Sequence, residues 1–286
     1  MLRAFVCLSK TLSLTRACDE LGATRQTVRR HINDLEVLTG KQFFELVERR
    51  YKLTRDGKEA LESAQELLLQ LDNWSGRSKL KTRVSCGLET NEYTDAEGRV
   101  FLSQQHPVSS IAKSGLPILR QSLKAWGAAS TDIDHQAMDV IRPFSVLYRQ
   151  SSRGWVFVEI GSETAYTKWF GRTWSRSAIG KLLNEDEVGD EYNQFISGAY
   201  SRISEAGGVR LDHIFAHLPK NDEIAKGELV PVTFQRLLMG CSFPDGTPAL
   251  SMVAVLTNDI EIAALDSSLK PRLSDDLTMD DLLAAA

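Results

Sequence analysis

The sequence lacks any apolar run long enough to cross a bilayer: Ser251-Met-Val-Ala-Val-Leu256 is among its longest, far short of the roughly 20 residues a spanning helix needs. A membrane partner is therefore not expected. Cysteine is scarce. Cys7, Cys18, Cys86 and Cys241 are scattered, with no CxxC spacing, which excludes a dense disulfide framework and fits free thiols in a reducing compartment. No phosphate loop, dinucleotide glycine motif, GxSxG elbow or HExxH occurs, so no catalytic constellation can be assembled and an enzyme is not expected. Residues Met1 to Lys10 lack the continuous apolar stretch of a secretory signal, so a cytoplasmic location is expected. What is present is ordinary globular composition. With 42% hydrophobic and 25% charged residues over 286 positions, the chain can bury a sizeable core, which excludes disorder as its dominant state.

Charge is divided unevenly. Residues 1–83 hold 16 Lys and Arg against 11 Asp and Glu, a net of +5, and the remaining residues carry −9, together the −4 of the whole chain. That split points to a basic module that meets a polyanion, joined to a different, acidic module.

The basic segment opens with Leu2, Phe5, Val6 and Leu8 at helical spacing. Ser13 caps a second helix that buries Leu14, Ala17, Cys18 and Leu21, and Gly22 ends it in a left-handed conformation. Thr24 caps a third helix with Val28, Ile32 and Leu35 turned inward. Two helices joined by a short turn containing Gly form a helix-turn-helix. The third helix presents Arg25, Gln26, Thr27, Arg29 and Arg30 away from its apolar stripe. These long donors and small hydroxyls suit base edges and phosphates, although a solvated basic face has the same composition. After Gly40, Gln42 to Leu53 reads as a β-hairpin bracketing Arg49, Arg50 and Lys52, a wing whose basic tip straddles the backbone beside a groove. Thr54 then caps a long helix from about Arg55 to Trp74. Its Leu61, Ala64, Leu68 and Leu71 make a short heptad seam that either pairs two chains or packs on its own domain; the spacing favours pairing.

Through Phe5, Ser13-Leu14-Thr15-Arg16-Ala17, Leu21, Thr24 to Val28, Ile32, Leu35-Glu36, Gly40, Phe43-Phe44, Arg49 or Arg50, Leu53-Thr54 and Gly57, the segment resembles the winged helix-turn-helix domain of LysR-type transcriptional regulators. The resemblance implies that the helix beginning after Thr24 enters the major groove of double-stranded DNA with Arg25, Gln26, Thr27, Arg29 and Arg30. It implies too that the helix after Thr54 is the linker helix that pairs subunits. Arg29 and Cys18 stand where the family usually has Ser and Ala; the first change bears on site preference.

The family's usual effector domain, two halves of alternating strands and helices, is not expected here. Arg83 to Leu88 could pass for a first strand, but Glu89 to Gly115 is polar, so residues 76–118 read as a connector with limited structure of its own. Beyond it the pattern predicts a helix around Leu119–Trp126, strands at Ile141–Tyr148 and Trp155–Ile160, and short helical pieces at Ser162–Phe170 and Ile179–Leu183. A longer amphipathic helix follows, carrying Tyr192, Phe195, Ile196, Ala199, Tyr200 and Ile203. Strands at about Val209–Leu218, Pro231–Met239 and Ala249–Leu256 close the series, with Asp245-Gly246 as a turn. Two strands, several helices and three strands, with Trp126, Asp132-Ile-Asp134, Arg142-Pro143, Gly161-Ser162 and Phe170-Gly171-Arg172, resemble a PAS domain of the divergent alphaproteobacterial kind. That resemblance implies a five-stranded antiparallel sheet whose core either holds a ligand or is filled by side chains.

The expected fold class is therefore α+β: a winged helix-turn-helix (1–54), a linker helix (55–75), a connector (76–118), a PAS-like domain (119–262) and an acidic tail (263–286). The tail, Leu273 to Ala284, alternates acids and leucines like a short contact helix. No cofactor is required by the sequence. His213 and His217 sit on an alternating strand, about 13 Å apart at ~3.3 Å per residue, too far for one metal, and structural histidines are expected rather than haem ligation by either or by His135. The Asn-Cys-Arg motif of flavin photosensors is absent, Cys86 and Cys241 are weak candidates for oxidant sensing, and Trp155, Trp169, Phe170 and Trp174 cluster near the PAS-like core. The carboxylates Asp132, Asp134 and Glu185 to Glu187 read as solvated loops. The expected function is a homodimeric or higher-order sequence-specific DNA-binding regulator whose second domain senses a signal or assembles. The alternative is a signal-binding or interaction module whose helix-turn-helix serves assembly.

Overall fold

The computed structural model describes residues 1–47, 50–75, 80–95, 97–151, 154–183, 190–219 and 228–283. Two compact units divide at residue 79.

The first unit comprises helices α1 (Leu2–Thr11), α2 (Leu14–Leu21) and α3 (Arg25–Thr39), strands β1 (Phe44–Val47) and β2 (Arg50–Leu53), and helix α4 (Arg55–Trp74). Its helix boundaries follow cap chemistry. The Ser13 hydroxyl accepts the Arg16 N–H, Thr24 accepts the Thr27 N–H, and Gly22 and Gly40 close α2 and α3 with φ of 58° and 66°. Phe5, Leu8, Ala17, Val28, Ile32 and Phe43 form a shared core, and Phe5 meets Phe43 and Phe44 with ring centroids 4.8 and 5.6 Å apart.

The second unit is built on one eight-stranded antiparallel sheet, in the order β3-β4-β5-β8-β9-β10-β6-β7. Its elements are β3 (Leu80–Ser85), β4 (Leu88–Thr94), β5 (Val100–His106), α5 (Ser109–Ser114), α6 (Pro117–Ala129), two 3-10 turns (Gln136–Met138 and Arg142–Phe144), β6 (Ser145–Ser151) and β7 (Gly154–Ile160). Helices α7 (Ala165–Phe170), α8 (Arg172–Ala178), α9 (Asp190–Ser197) and α10 (Tyr200–Ala206) follow, then β8 (Val209–Pro219), β9 (Leu229–Ser242) and β10 (Pro248–Leu256). The strands expected after residue 140 are all present. Packing of α10 on β9 is close: a methyl group on Gly240 would lie 2.1 Å from the Ile203 carbonyl oxygen.

Several sequence expectations need correction. The connector at 76–118 is not loosely structured: β3, β4, β5 and α5 occupy most of it, and the sheet has eight strands rather than five. The hairpin turns at Cys86-Gly87, both at positive φ (52° and 77°), so Arg83–Leu88 bends back on itself and is not a single strand. Polarity hid these strands, because β3 is a solvated edge and only Tyr93 of β4, with Phe101, Leu102 and Ser103 of β5, is fully buried. The stretch Ile141–Tyr148 begins as a 3-10 turn at Arg142-Pro143 and becomes a strand only at Ser145. The long helix through Tyr192 and Ile203 is broken into α9 and α10 at Gly198-Ala199, and Ile179–Leu183 is no helix, Leu182 bridging instead to Val156 of β7.

The tail also differs. Residues 257–283 contain no regular helix. They lie along the sheet: Asn258 clamps Leu273 through both its backbone groups, the Met279 N–H donates to the Leu256 carbonyl, and Leu273 and Met279 are buried in the core. Pro271 lies within this extended course.

Candidate nucleic-acid interface

Helix α3 turns Val28, Ile32 and Leu35 into the core and leaves Arg25, Gln26, Arg29 and Arg30 exposed on the other side; Thr27 is half-buried. Its start is fixed by Thr24, whose hydroxyl lies 3.2 Å from the Thr27 N–H and 2.9 Å from the Thr27 hydroxyl. No acidic residue occupies the first turn of α2 or α3, so the positive end of α3 is left uncompensated beside three arginines. Two partners were not singled out from sequence for these roles. The Thr15 hydroxyl on α2 accepts from Arg25 Nη2 at 2.9 Å and holds that guanidinium at the mouth of the turn. Glu36 accepts the Phe43 and Phe44 N–H groups at 2.7 and 3.2 Å, which fixes the start of the wing against α3. Both are ordinary side chain to backbone or side chain to side chain contacts that periodicity does not reveal.

The wing is the β1–β2 hairpin, with Phe44 paired to Leu53, Glu45 to Lys52 and Val47 to Arg50. Arg50 and Lys52 are exposed on it, Lys52 opposite Glu45; Arg49 lies outside the described residues. Its base is locked to α4 by Thr54, which donates to the Gln42 carbonyl at 2.6 Å and caps the Gly57 N–H at 3.0 Å. Gly57 is required there, since a methyl group would stand 2.2 Å from the Phe43 carbonyl oxygen.

The seam assigned to pairing is divided by the structure. Ala64 is buried in its own unit, with Leu61 and Leu68 packed against the same core, and of the four only Leu71 is exposed. Among its described side chains, α4 leaves the apolar Leu67, Leu71 and Trp74 open, the last 85% exposed, at spacings of four and three.

The other residues marked in the sequence fall in the second unit. His213 is on β8 and stacks on His106 at 3.9 Å, and His217 packs edge-on against Phe101 and Phe215. His135 caps a 3-10 turn through Nδ1. Among the described residues no group of His, Cys, Asp and Glu is placed to hold a metal. Cys86 is exposed in the hairpin turn. Cys241 is buried and its thiol is pushed up to about 12, chiefly by burial, which leaves no reactive thiolate. The aromatic cluster splits: Phe170 stacks on Trp174 at 4.4 Å, Trp169 donates to the Pro219 carbonyl, and Trp155 joins Tyr200 elsewhere. Asp134 pairs with Arg142, Asp132 accepts the Asp134 N–H, and Glu185 to Glu187 lie outside the described residues. No described helix is long and apolar enough to cross a membrane.

Residues 1–58 match the family described as "Bacterial regulatory helix-turn-helix protein, lysR family". Among solved structures, the DNA-binding domain of BenM in complex with catB site 1 DNA is 32% identical over 26% of this chain and 84% of that one, with a TM-score of 0.25. Full-length BenM matches at 32% identity over 26% of this chain and 25% of its own, TM-score 0.25. Full-length OxyR from Pseudomonas aeruginosa matches at 25% identity over 26% of this chain and 25% of its own, again with a TM-score of 0.25. Comparison with curated proteins finds no match. The N-terminal unit is a helix-turn-helix domain of the bacterial regulatory lysR family, and the chain that carries it is a transcriptional regulator.

Proposed function

We propose that the protein is a cytoplasmic, sequence-specific DNA-binding regulator that works as a homodimer, with a PAS-like second unit. The observation that carries this reading is the exposed, cationic first half of α3, free of acidic residues in its first turn, within a lysR-family helix-turn-helix. Arg29, Arg30 and Gln26 read base edges in the major groove; Thr24, Thr27 and Arg25 contact flanking phosphates at the helix start; Arg49, Arg50 and Lys52 on the wing grip the backbone. Pairing uses the open Leu67, Leu71 and Trp74 stripe of α4, with Leu61, Ala64 and Leu68 supporting it from the core side. The PAS-like reading is supported by the succession of two strands, four helices and three strands, β6 to β10, joined in adjacent positions of one sheet.

Duplexes selected from a random pool by the wild-type protein supply the test. Arg29→Ala with Arg30→Ala removes two cations and no buried atom, so circular dichroism stays unchanged. Affinity for the selected duplex falls at least 100-fold, since each bidentate pairing with a base edge contributes about 1–3 kcal/mol. Retained affinity in the double variant overturns the groove assignment. Absence of any salt-dependent duplex binding by the wild type favours the assembly reading instead.

A further inference from the structure

The second unit contains a cavity between the sheet and its helices that no role above uses. Trp169 and Phe170 of α7, Ile196 of α9, Phe234 of β9 and Ala254 of β10 contribute to its wall, which is otherwise almost wholly apolar. The sheet residues share one face because Phe234 pairs with Leu256 and Arg236 with Ala254 across β9 and β10. The cavity offers about 40 Å³ to the centres of water-sized molecules, within about 490 Å³ of atom-free space that includes its open mouth.

One charged side chain stands in this apolar lining. Arg236 is 2% exposed. Its Nη1 donates to the Ile196 carbonyl at 2.5 Å and its Nη2 to Asp212 at 2.7 Å, but Nε is buried with no acceptor. An unmet buried donor of this kind is costly unless something completes it. Arg236 is also the inner end of an alternating chain. Arg202, at the outer end, pairs with Glu89 at 2.9 Å, Glu89 pairs with Arg210, and Arg210 and Arg236 share the two oxygens of the fully buried Asp212. Three guanidinium groups thus face two carboxylates, and the row ends in a cation at the cavity. A partner that completes it is anionic and offers an oxygen acceptor. Room for roughly three waters beside Arg236 suits a carboxylate, and the aromatic and aliphatic walls of the same cavity suit a compact hydrocarbon tail.

We propose that this cavity binds a small aromatic or branched aliphatic carboxylate, its head group on Arg236 and its tail against Trp169 and Phe170. This takes up the sensing alternative expected of the second domain and rests on the geometry of that unit alone. The test titrates the full-length protein with phenylacetate, phenylacetamide and acetate by calorimetry. Phenylacetate binds saturably with one site per chain, at least tenfold more tightly than either the neutral amide or acetate, which lacks the tail. Ala254→Leu fills the cavity while leaving Arg236 and Asp212 paired; it abolishes phenylacetate binding without lowering the melting temperature. Arg236→Met gives the same loss, read only if that variant folds. No saturable phenylacetate binding at millimolar concentration, equal affinity for the amide, or undiminished binding by Ala254→Leu each overturns the proposal. DNA binding by the Arg29 and Arg30 variants is scored separately, so failure of this site and failure of the groove assignment give different results.

Discussion

His213 shows how a residue that resembles a ligand is a structural fastener. Its Nδ1 accepts the Glu261 N–H at 2.8 Å, its ring stacks on His106, and His106 Nε2 donates to the Glu261 carbonyl at 2.8 Å, so two imidazoles hold one residue of the tail at the sheet. An acceptor at Nδ1 requires the neutral ring. Burial first, and the neighbouring His106 second, lower its pKa from the usual 6.5 to about 4, against the opposing pull of Asp212. The unfolded chain takes up a proton below pH 6.5 that the native state refuses until about pH 4. Stability therefore falls as pH drops through that window, by about 3 kcal/mol in all, and the loss levels off once native His213 protonates as well. Urea unfolding measured from pH 7 to 4 checks this. His213→Gln keeps an acceptor for the Glu261 N–H but does not titrate, so its stability declines less steeply over that range; an unchanged slope would remove His213 as the cause.

Elements were legible in the sequence where one face is buried and a cap marks each end. Helices α2 and α3 follow from Ser13, Gly22, Thr24 and the stripe Val28, Ile32, Leu35, and the same logic placed Arg29 and Arg30 on the open side. The strands β8, β9 and β10 followed from apolar runs. Strands β3 and β4 did not, because a solvated hairpin at a sheet edge carries little apolar periodicity, and Gly198 was too weak a signal to show that one amphipathic stripe is two helices. Arg236 was invisible for a different reason: within Thr233-Phe-Gln-Arg-Leu-Leu it reads as an outward polar position, and only the register opposite Asp212 shows that the charge is buried. The hairpin β1–β2 depends on a contact of the same hidden kind. With the Phe43 carbonyl 2.2 Å from where a methyl group at position 57 would sit, Gly57→Ala must push the wing off α4. It is expected to cost about 1–3 kcal/mol in urea unfolding of the first unit and to weaken duplex binding while α3 itself is untouched. Wild-type stability in that variant would show that the hairpin yields without strain.

At the scale of the whole chain, the charge division places attraction for a polyanion in the first unit and net negative charge in the second. In a dimer each exposed cation of the wing acts twice. Because log affinity falls with log salt by about 0.9 for every phosphate neutralised, Lys52→Ala should lower the slope by about 2 while leaving the preferred duplex sequence unchanged. A reduction smaller than one phosphate per subunit would mean that Lys52 is held by Glu45, opposite it on the hairpin, and not by DNA. In the proposed dimer, pairing rests on α4. Leu61, Ala64 and Leu68 are committed to the core, so substituting them would unfold the unit and say nothing about assembly, whereas Leu71 and Trp74 are exposed. Leu71→Glu with Trp74→Glu should convert the dimer to a folded monomer by sedimentation. Duplex affinity should then fall by about 100-fold or more, since two linked half-site contacts become one. A double variant that remains dimeric would move the subunit interface away from α4; one that becomes monomeric yet binds the duplex with undiminished affinity would show that a single recognition helix suffices.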